Sequence, residues 1–381
     1  MNNTNENIST HHSLDREELQ DSHLTAWKII QVLAYYFMIV LSVIGNTVVI
    51  RAIKKTGKRA RRQTHYLFIL NLSVADLLLA VENIPMTCIY LLLNGAWKIE
   101  GPFGNFLCKF DAFLSIIFIL ISNLTILAIA VEKFCGVFFP LRELVSSKRA
   151  LVVLTFAWLL SGCYASPLFF FATLQKHPDA ETFRCLVCTG NCAQVHQWFV
   201  LQTVLLATGF ILTLVLYVAI GVKIWLRRMP GIYLPEAQRK EQAKRHRAIK
   251  MLAMLIVVFY TSFIPFWVSQ LAFHFHFEDK LGSGDLYAQI SAFFMFCNGA
   301  INPVIYSKYN LHIRYEFKSF LCCGWKPEVN SPKSHTRKDP NRHLQRPVKP
   351  KSRESDQRCS KKAALIISRD SRLTEMENSM L

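Results

Sequence analysis

The segment FLSIIFILISNLTILAIAV, residues 113–131, contains no Asp, Glu, Lys, Arg or His, and it decides the fold. A helix rises about 1.5 Å per residue, so about 20 mostly apolar residues are needed to cross the hydrocarbon core of a bilayer. The longer apolar run around this segment, Phe103–Phe139, exceeds that length. We therefore predict a membrane-spanning helix that is tilted and projects beyond the membrane on the cytoplasmic side.

Six further runs of similar composition give seven predicted spans in all. They are Trp27–Ile50, Tyr66–Leu93, Ala150–Leu174, His196–Trp225, Ile249–Phe275 and Leu286–Tyr306. None of these runs has the short alternation of polar and apolar residues that marks the strands of a membrane β-barrel. The predicted fold class is therefore all-α, a seven-transmembrane helix bundle that occupies residues 27–307.

The loops between the spans differ in charge on the two sides of the membrane. Lys and Arg gather after the first span, after the third, and between the fifth and sixth, whereas the other loops are neutral or acidic. The positive-inside rule then places the N-terminus outside the cell and the C-terminus inside it. Because the basic residues flank membrane-length runs, the net charge of +18 does not indicate nucleic-acid binding.

The N-terminal tail, residues 1–26, is polar and acidic, and it is predicted to be extracellular. It contains glycosylation sequons that begin at Asn2 and Asn7. At the other end, residues 308–323 have one apolar face, which predicts a short amphipathic helix on the inner membrane surface. Residues 324–381 are basic and poor in aromatic residues, so we interpret them as a disordered cytoplasmic tail.

Two short signals in the C-terminal part predict modification and binding. Cys322 and Cys323 end the amphipathic helix at the level of the membrane and are predicted sites of palmitoylation, with two free thiols as the alternative. The last three residues fit a ligand for a PDZ domain, because a free carboxylate, an apolar side chain and a hydroxyl follow one another in Ser379, Met380 and Leu381.

Ionisable and amide side chains inside the spans are costly to bury, and they mark function. Asp76 lies near the middle of the second span, at a depth similar to that of Asn46, Ser122, Asn298 and Asn302 in other spans. A sodium ion held by these side chains would neutralise the carboxylate. The alternative is a protonated Asp76 that bridges two helices. No cofactor other than this ion is predicted.

These residues belong to a pattern that resembles the rhodopsin-like (class A) G-protein-coupled receptors. The pattern comprises Gly45-Asn46, Leu72 to Asp76, Trp158, Phe259 with Pro265, and Asn302-Pro303 to Tyr306. The resemblance covers roughly Trp27 to Cys323 and implies a bundle that signals by helix movement to a heterotrimeric G protein, with arrestin as a further partner. It implies an activation switch of Tyr217, Phe259, Phe263, Pro265 and Tyr306. It also implies a G-protein-coupling surface that includes Glu132, Lys133 and Arg245.

The chain departs from the family pattern at several of these positions. Lys133 and Phe134 replace the usual arginine and tyrosine, and Phe263 replaces a tryptophan. A lysine keeps the charge but lacks the planar guanidinium fork, which puts basal restraint and partner engagement in doubt. Gly209 stands where the fifth span usually has a proline, and it would permit a local bend.

Prolines inside the predicted spans are expected to open kinks, because each removes a backbone hydrogen bond. They are Pro85, Pro167, Pro265 and Pro303. In a signalling bundle such kinks let the inner helix ends swing. For Pro85 and Pro167 the alternative is that membrane helices simply tolerate proline.

Cysteines on the outer side predict a disulfide. Cys108 begins the third span, and Cys185, Cys188 and Cys192 lie in the outside loop before the fifth. The oxidising exterior favours a bridge from Cys108 to one of these three, but connectivity does not follow from sequence. The resemblance to receptors whose loop forms a hairpin implies Cys185 as the partner, and Cys188 could then pair with Cys192.

The ligand class follows from side chains in the outer half of the bundle. Amine receptors of the family carry an aspartate where this chain has Ser115, and the seventh span has no lysine to hold retinal, so neither ligand is predicted. Glu82 and Asp111 are expected to face an outer cavity and to suit a cationic group of a peptide. The alternative for Glu82 is a protonated structural group. The rest of the predicted site consists of Ser115, Phe266, Trp267, Gln270 and Phe294.

The residues around Trp97 and from Gly101 to Lys109 resemble the neuropeptide branch of the family. The resulting hypothesis is a plasma-membrane receptor, not an enzyme, for a small and basic extracellular peptide. A non-signalling scavenger receptor is the nearer alternative because of Lys133. A transporter is a more distant one, since the two halves of the chain show no internal repeat.

Overall fold

The computed structural model describes residues 3–55, 63–139, 145–176, 182–187, 193–226, 236–274 and 284–323. The helices in these ranges are α1 Asn3–Lys55, α2 Thr64–Leu92, α3 Gly101–Phe138, α4 Ser147–Ala165, α5 Leu168–Phe171, α6 Ala193–Leu226, α7 Glu236–His274, α8 Gly284–Tyr309 and α9 Leu311–Cys323. Strands β1 Thr173–Lys176 and β2 Phe183–Leu186 form an antiparallel hairpin between α5 and α6. The described part of the chain is therefore almost entirely helical.

Seven segments of these helices are long and apolar enough to cross a membrane, as the sequence predicts. They are Thr25–Lys55, Thr64–Leu92, Gly101–Phe138, Ser147–Phe171, Ala193–Ile224, Ile249–Ser269 and Tyr287–Tyr309. Each overlaps one predicted span, because membrane-length hydropathy is a local property of the sequence. Helix α1 itself begins much earlier, at Asn3. Phe275, the predicted end of the sixth span, lies outside the described residues.

The predicted C-terminal end of the fourth span, Leu174, is wrong. Helix α4 ends at Ala165, and a turn leads into α5, for which Pro167 is the N-cap. Leu174 lies in β1. Proline has no N–H to continue the hydrogen bonds of α4, so the helix stops there although the following residues remain apolar. Pro167 thus lies between two helices, whereas Pro85, Pro265 and Pro303 do lie inside theirs.

Residues Met1–Ile305 form one compact unit, the helix bundle, with α3 at its centre. Helix α3 packs against α2, α4 and α6, and Ile121 and Thr125 in its middle are fully buried. The outward faces are apolar as well: the Phe156 side chain on α4 is 64 % exposed. Large exposed apolar side chains on helices of this length are what a lipid-facing surface requires, because hydrocarbon is their solvent.

Helices α1 and α8 approach each other closely in the middle of the bundle. A Cβ added at Gly45 would lie 2.8 Å from Cγ of Pro303, so only glycine fits at this position without displacement. Next to it, Nδ2 of Asn46 donates to the carbonyl of Gly299 at 3.0 Å. Small residues allow this kind of contact between membrane helices, and the amide then fixes the register.

Residues Tyr306–Leu381 form a second unit, of which residues 306–323 are described. Asn310 separates α8 from α9, and its Oδ1 accepts hydrogen bonds from the backbone N–H groups of His312 (3.1 Å) and Ile313 (3.3 Å). This is the N-cap arrangement that satisfies the first amides of a helix. The short helix predicted after the seventh span is therefore present as α9, from Leu311 to Cys323.

Candidate functional site

A disulfide anchors the hairpin to the start of α3, and we call this end of the bundle the hairpin end. Cys108 and Cys185 are bonded with a Cα–Cα distance of 5.6 Å, which confirms the pairing that the resemblance implied. The amide side chain of Asn105 also holds the hairpin, because its Oδ1 accepts from the Leu174 N–H at 3.0 Å. The backbone N–H of Trp97 donates to the Phe183 carbonyl at 2.6 Å. The hairpin is therefore tied to α3 and to the α2–α3 connection.

Two carboxyl groups meet near the hairpin end, between α2 and α3. The Glu82 and Asp111 side chains are close enough to affect each other's charge, and both residues are partly buried. A carboxylate only accepts, so a bond between them requires a shared proton, and two ionised groups would repel each other. Glu82 Oε1 is buried and has no donor among the described residues. This pair is suited to a cationic group that donates to both.

Amide and hydroxyl groups hold the acid pair in place. The Asn83 side-chain amide donates to Glu82 Oε2. Ser115 Oγ donates to Asn83 Oδ1 at 2.7 Å and also lies 2.9 Å from the Asp111 carbonyl oxygen. Ser115, predicted as a ligand contact, therefore links α3 to α2 in this structure. Asn83 was missed in the sequence, although its position directly after Glu82 was a signal for it.

Aromatic side chains line up along α7 toward the hairpin end. Phe259 and Phe263 stack at a centroid distance of 4.5 Å, and both are fully buried. Trp267 follows at 6.5 Å from Phe263, and its Nε1 is buried without an acceptor among the described residues. On α8, Phe294 lies one turn before Asn298 and is 47 % exposed. The row connects the region of the predicted ligand site to the middle of the bundle.

Asp76 is buried in the middle of the bundle, on α2. Asn302 Nδ2 donates to Asp76 Oδ2 at 2.8 Å, and both residues are almost fully buried. Four oxygens of the predicted sodium site are buried and have no hydrogen-bond partner among the described residues: Asp76 Oδ1, Ser122 Oγ, Asn298 Oδ1 and Asn302 Oδ1. Orphaned acceptors of this kind fit a hard cation, since buried charges are normally paired or bind metals. Within the described ranges, no group of three or more His, Cys, Asp or Glu side chains forms a metal site.

A second polar network joins α2, α3 and α4. Trp158 Nε1 donates to Asn71 Oδ1 at 2.9 Å, and Asn71 Nδ2 donates to Thr125 Oγ1 at 2.8 Å. The Asn71 amide is thus satisfied on both sides. The sequence around Asn71 does not reveal these partners, because they lie on two other helices.

An ion pair lies at the opposite end of α3. Lys133 Nζ is 2.8 Å from Glu132 Oε2, so the lysine is held by its neighbour in sequence. Tyr217 on α6 packs against the core, and its hydroxyl has no partner among the described residues. Tyr306, the last member of the predicted switch, lies in the final turn of α8.

A cavity of about 650 Å³ opens near the hairpin end, between α1, α2, α8 and β2. Its wall includes Lys28, Gln31, Tyr35 and Gln289, and Arg184 reaches it from the hairpin. None of the predicted ligand-binding residues whose side chains the structure describes lines this cavity. The sequence did not reveal it, because Arg184 comes near α1 only through the fold of the hairpin.

Several predicted residues fall outside what the structure describes. Asn2 and the loop cysteines Cys188 and Cys192 belong to them, as do Ser379, Met380 and Leu381. Others lie in helices, but their side chains are outside the described part of the chain: Asn7, Arg245, Gln270, Cys322 and Cys323.

A seven-helix membrane bundle with a disulfide-anchored hairpin at one end and a buried Asp–Asn contact at its middle is the architecture of a heptahelical receptor. A family model agrees: that of the seven-transmembrane receptors of the rhodopsin family matches residues 45–306. The chain belongs to this family.

The chain is also similar to several receptors in animals. It is 27% identical to a QRFP-like peptide receptor of Branchiostoma floridae over 306 residues, and this aligned region covers 78% of each chain. It is 28% identical over 318 residues to the neuropeptide Y receptor type 2 of Mus musculus, covering 81% of this chain and 80% of the other. It is 26% identical over 329 residues to neuropeptide FF receptor 2 of Rattus norvegicus, covering 80% and 75%. These matches confirm the resemblance to the neuropeptide branch and do not favour a transporter or a non-signalling receptor.

Proposed function

We propose that this chain is a plasma-membrane receptor for a peptide with a basic group, and that it transmits binding to a heterotrimeric G protein. The relatives named for neuropeptides support the ligand class, and the family supports the signalling role. A basic group is inferred because two partly buried carboxyl groups, Glu82 and Asp111, affect each other's charge between α2 and α3, and Glu82 Oε1 has no donor among the described residues. A guanidinium or ammonium group placed between these carboxyl groups would offset their mutual repulsion through charge-assisted hydrogen bonds.

The proposed orientation places the hairpin end outside the cell. The disulfide supports this, because such bonds persist in oxidising compartments. The Glu132–Lys133 pair then lies at the cytoplasmic end, where Lys133, Tyr217 and Arg245 would contact the G protein. The distribution of basic loops along the sequence agrees with this orientation.

Signal transmission would use the aromatic row on α7 and the cluster around Asp76. A ligand near Trp267 that prefers one arrangement of Phe263 and Phe259 would shift the population of bundle states. A sodium ion bound by Asp76, Ser122, Asn298 and Asn302 would stabilise the other arrangement. The orphaned oxygens in this cluster support the ion.

Further parts of the proposal concern the two ends of the chain. Asn2 and Asn7 would carry glycans, and Cys322 and Cys323 would carry palmitate. Arrestin and a PDZ-domain protein, the latter bound through Ser379, Met380 and Leu381, would be the additional cytoplasmic partners. The sequence motifs alone support these assignments.

The test uses matched pairs of synthetic peptides that end in arginine or in its neutral isostere citrulline, applied to cells that express the chain. Wild-type receptor is expected to bind the arginine member of an active pair at least about tenfold more tightly, as loss of a charged hydrogen bond predicts. The double variant Glu82→Gln, Asp111→Asn should lose this preference, while the control Glu100→Gln, whose side chain is exposed at the start of α3, keeps it. An unchanged arginine preference in the double variant would refute the acid-pair site.

A further inference from the structure

The cavity between α1, α2, α8 and β2 is lined by positively charged side chains, whereas the acid pair is negative or neutral. Lys28 and Arg184 both line it, and none of its lining residues is acidic. Arg184 Nε is buried without an acceptor among the described residues. Two cations facing one space repel each other, and a buried guanidinium N–H without an acceptor is costly, so the cavity favours an anion.

The hairpin fixes the position of Arg184. Its neighbour Cys185 is bonded to Cys108, and its other neighbour Phe183 accepts from the Trp97 N–H. Successive side chains of a strand point to opposite faces, so Cys185 faces α3 while Arg184 faces the cavity. The guanidinium is therefore presented by a backbone held on both sides, which keeps its ordering cost on binding low.

Polar groups on α1 and α8 complete the opposite wall. Gln31 Nε2 donates to Gln289 Oε1 at 2.9 Å, and the Tyr35 hydroxyl donates to the Gln289 carbonyl at 3.0 Å. Lys28 donates to the Asn94 side chain at the end of α2. Asn94 has a φ of 52°, a left-handed conformation that asparagine tolerates better than most residues. The wall is thus preformed. Lys28 could exchange its neutral partner, the Asn94 side chain, for an anionic group of a ligand.

We propose that this cavity is a second subsite of the receptor, and that it binds a carboxylate of the peptide ligand through Arg184 and Lys28. Arginine provides a planar fork that matches a carboxylate with two parallel hydrogen bonds. The volume of about 650 Å³ accommodates one or two residues rather than a single ion. This inference rests on the proposed function, because it assigns an acidic residue to the same ligand whose basic group binds Glu82 and Asp111.

The two subsites would together select ligands by charge pattern. Asn83 of the acid-pair region and Thr87 of the cavity wall lie one turn apart on α2, and Thr87 Oγ1 donates to the Asn83 carbonyl. A peptide with basic and acidic residues a few positions apart would reach both. A ligand with its basic and acidic residues in the reverse order, or with two basic groups, would place a charge beside protein groups of the same sign. Such a ligand would therefore bind more weakly.

The experiment measures thermal unfolding of the purified full chain in detergent free of anionic lipid. The probe is N-acetyl-Glu-Glu-amide, and the matched neutral compound is N-acetyl-Gln-Gln-amide. The acidic compound is expected to raise the melting temperature saturably, and the neutral one to have no effect. Arg184→Gln should weaken the apparent affinity for the probe by about tenfold or more. Lys28→Gln should act in the same direction, so the result does not depend on the folding of one variant.

The control is Lys176→Gln, which removes an exposed charge from the other strand of the hairpin and should leave the response intact. No stabilisation of wild type, or an equal response in Arg184→Gln, overturns the proposal. Equal stabilisation by inorganic phosphate, or by phosphatidylserine alone, would also overturn it in favour of a free anion or a lipid headgroup. The probe carries no basic group, so it tests the anion subsite alone, whereas the arginine and citrulline peptides test the acid pair; either test can fail without the other.

Discussion

Asn123 on α3 lies directly against Gly209 on α6. A Cβ added at Gly209 would be 2.7 Å from Asn123 Oδ1. Thr213 Oγ1 donates to the Gly209 carbonyl at 2.7 Å, and Thr213 Oγ1 in turn accepts from the Tyr260 hydroxyl at 3.2 Å. One turn of α6 is therefore in contact with α3 and linked to α7. The lack of a side chain at Gly209 makes room for the Asn123 amide.

Gly209→Ala is expected to destabilise the protein by about 1–3 kcal/mol, because the added methyl group must displace the Asn123 amide. The matched control is Gly221→Ala in the same helix, where an added Cβ meets nothing within 4 Å. That control should stabilise by about 0.5–1 kcal/mol through helix propensity. Thermal unfolding in detergent measures both. Equal melting temperatures of the two alanine variants would show that Asn123 does not exclude a side chain at Gly209.

Combining Gly209→Ala with Asn123→Ala should recover part of the lost stability. The second change removes the amide that the new methyl group displaces, so the two effects are coupled and not additive. A double-mutant cycle on melting temperature gives the coupling. Strict additivity would show that the two side chains do not interact.

Asp76→Asn is expected to abolish the dependence of stability on sodium. Wild-type receptor should melt at a higher temperature in sodium chloride than in choline chloride of equal ionic strength, because the ion neutralises a carboxylate that is 1 % exposed. Ser122→Ala, which removes one neutral oxygen, should weaken the sodium response and keep part of it. Identical melting temperatures of the wild type in the two salts would contradict the sodium site.

Trp158→Phe removes the donor to Asn71 Oδ1 and leaves a polar atom unpaired between α2, α3 and α4. The expected loss of stability is about 1–3 kcal/mol, the cost of a buried unsatisfied group. The control is Phe156→Leu on the outer face of the same helix, where the side chain is 64 % exposed and the change should cost less than about 0.5 kcal/mol. Comparable losses in the two variants would show that the network adds nothing.

Glu132→Gln is expected to raise ligand-independent nucleotide exchange on a G protein. The change removes the charge that holds Lys133 Nζ at 2.8 Å, and an ion pair of this partly exposed kind contributes about 0.2–1 kcal/mol, which corresponds to a rise of about one-and-a-half- to fivefold. Lys148→Gln at the start of α4, an exposed residue without a role in the pair, is the control. Basal exchange that stays at the wild-type level would show that this pair does not restrain the receptor.

The seven spans could be predicted because each depends only on its own composition. The Cys108–Cys185 pairing followed from a resemblance and not from spacing, since three loop cysteines were equivalent on the sequence alone. The end of the fourth span was missed for a similar reason. Residues 168–172 are apolar, and hydropathy does not show that Pro167 separates two helices or that Leu174 joins a strand.

Contacts between distant segments account for what the sequence did not reveal. Trp158 and Asn71 are 87 residues apart, and neither has a local feature that identifies the other as its partner. Arg184 lies in strand β2, and only the fold of the hairpin brings its side chain to the cavity beside α1 and α8. By contrast, Glu82 and Asp111 were recognised because an ionisable residue inside an apolar run is conspicuous by itself.

The central claim is that a basic peptide group bound by Glu82 and Asp111 activates a G protein through this bundle. Its most direct test reconstitutes the full chain and a heterotrimeric G protein in phosphatidylcholine nanodiscs and measures nucleotide exchange with the arginine and citrulline peptide pairs. The account predicts faster exchange with an arginine peptide than with its citrulline partner in the wild type, and no difference in the Glu82→Gln, Asp111→Asn variant. Peptide binding that leaves the exchange rate unchanged, or an arginine preference that survives in the double variant, would contradict it.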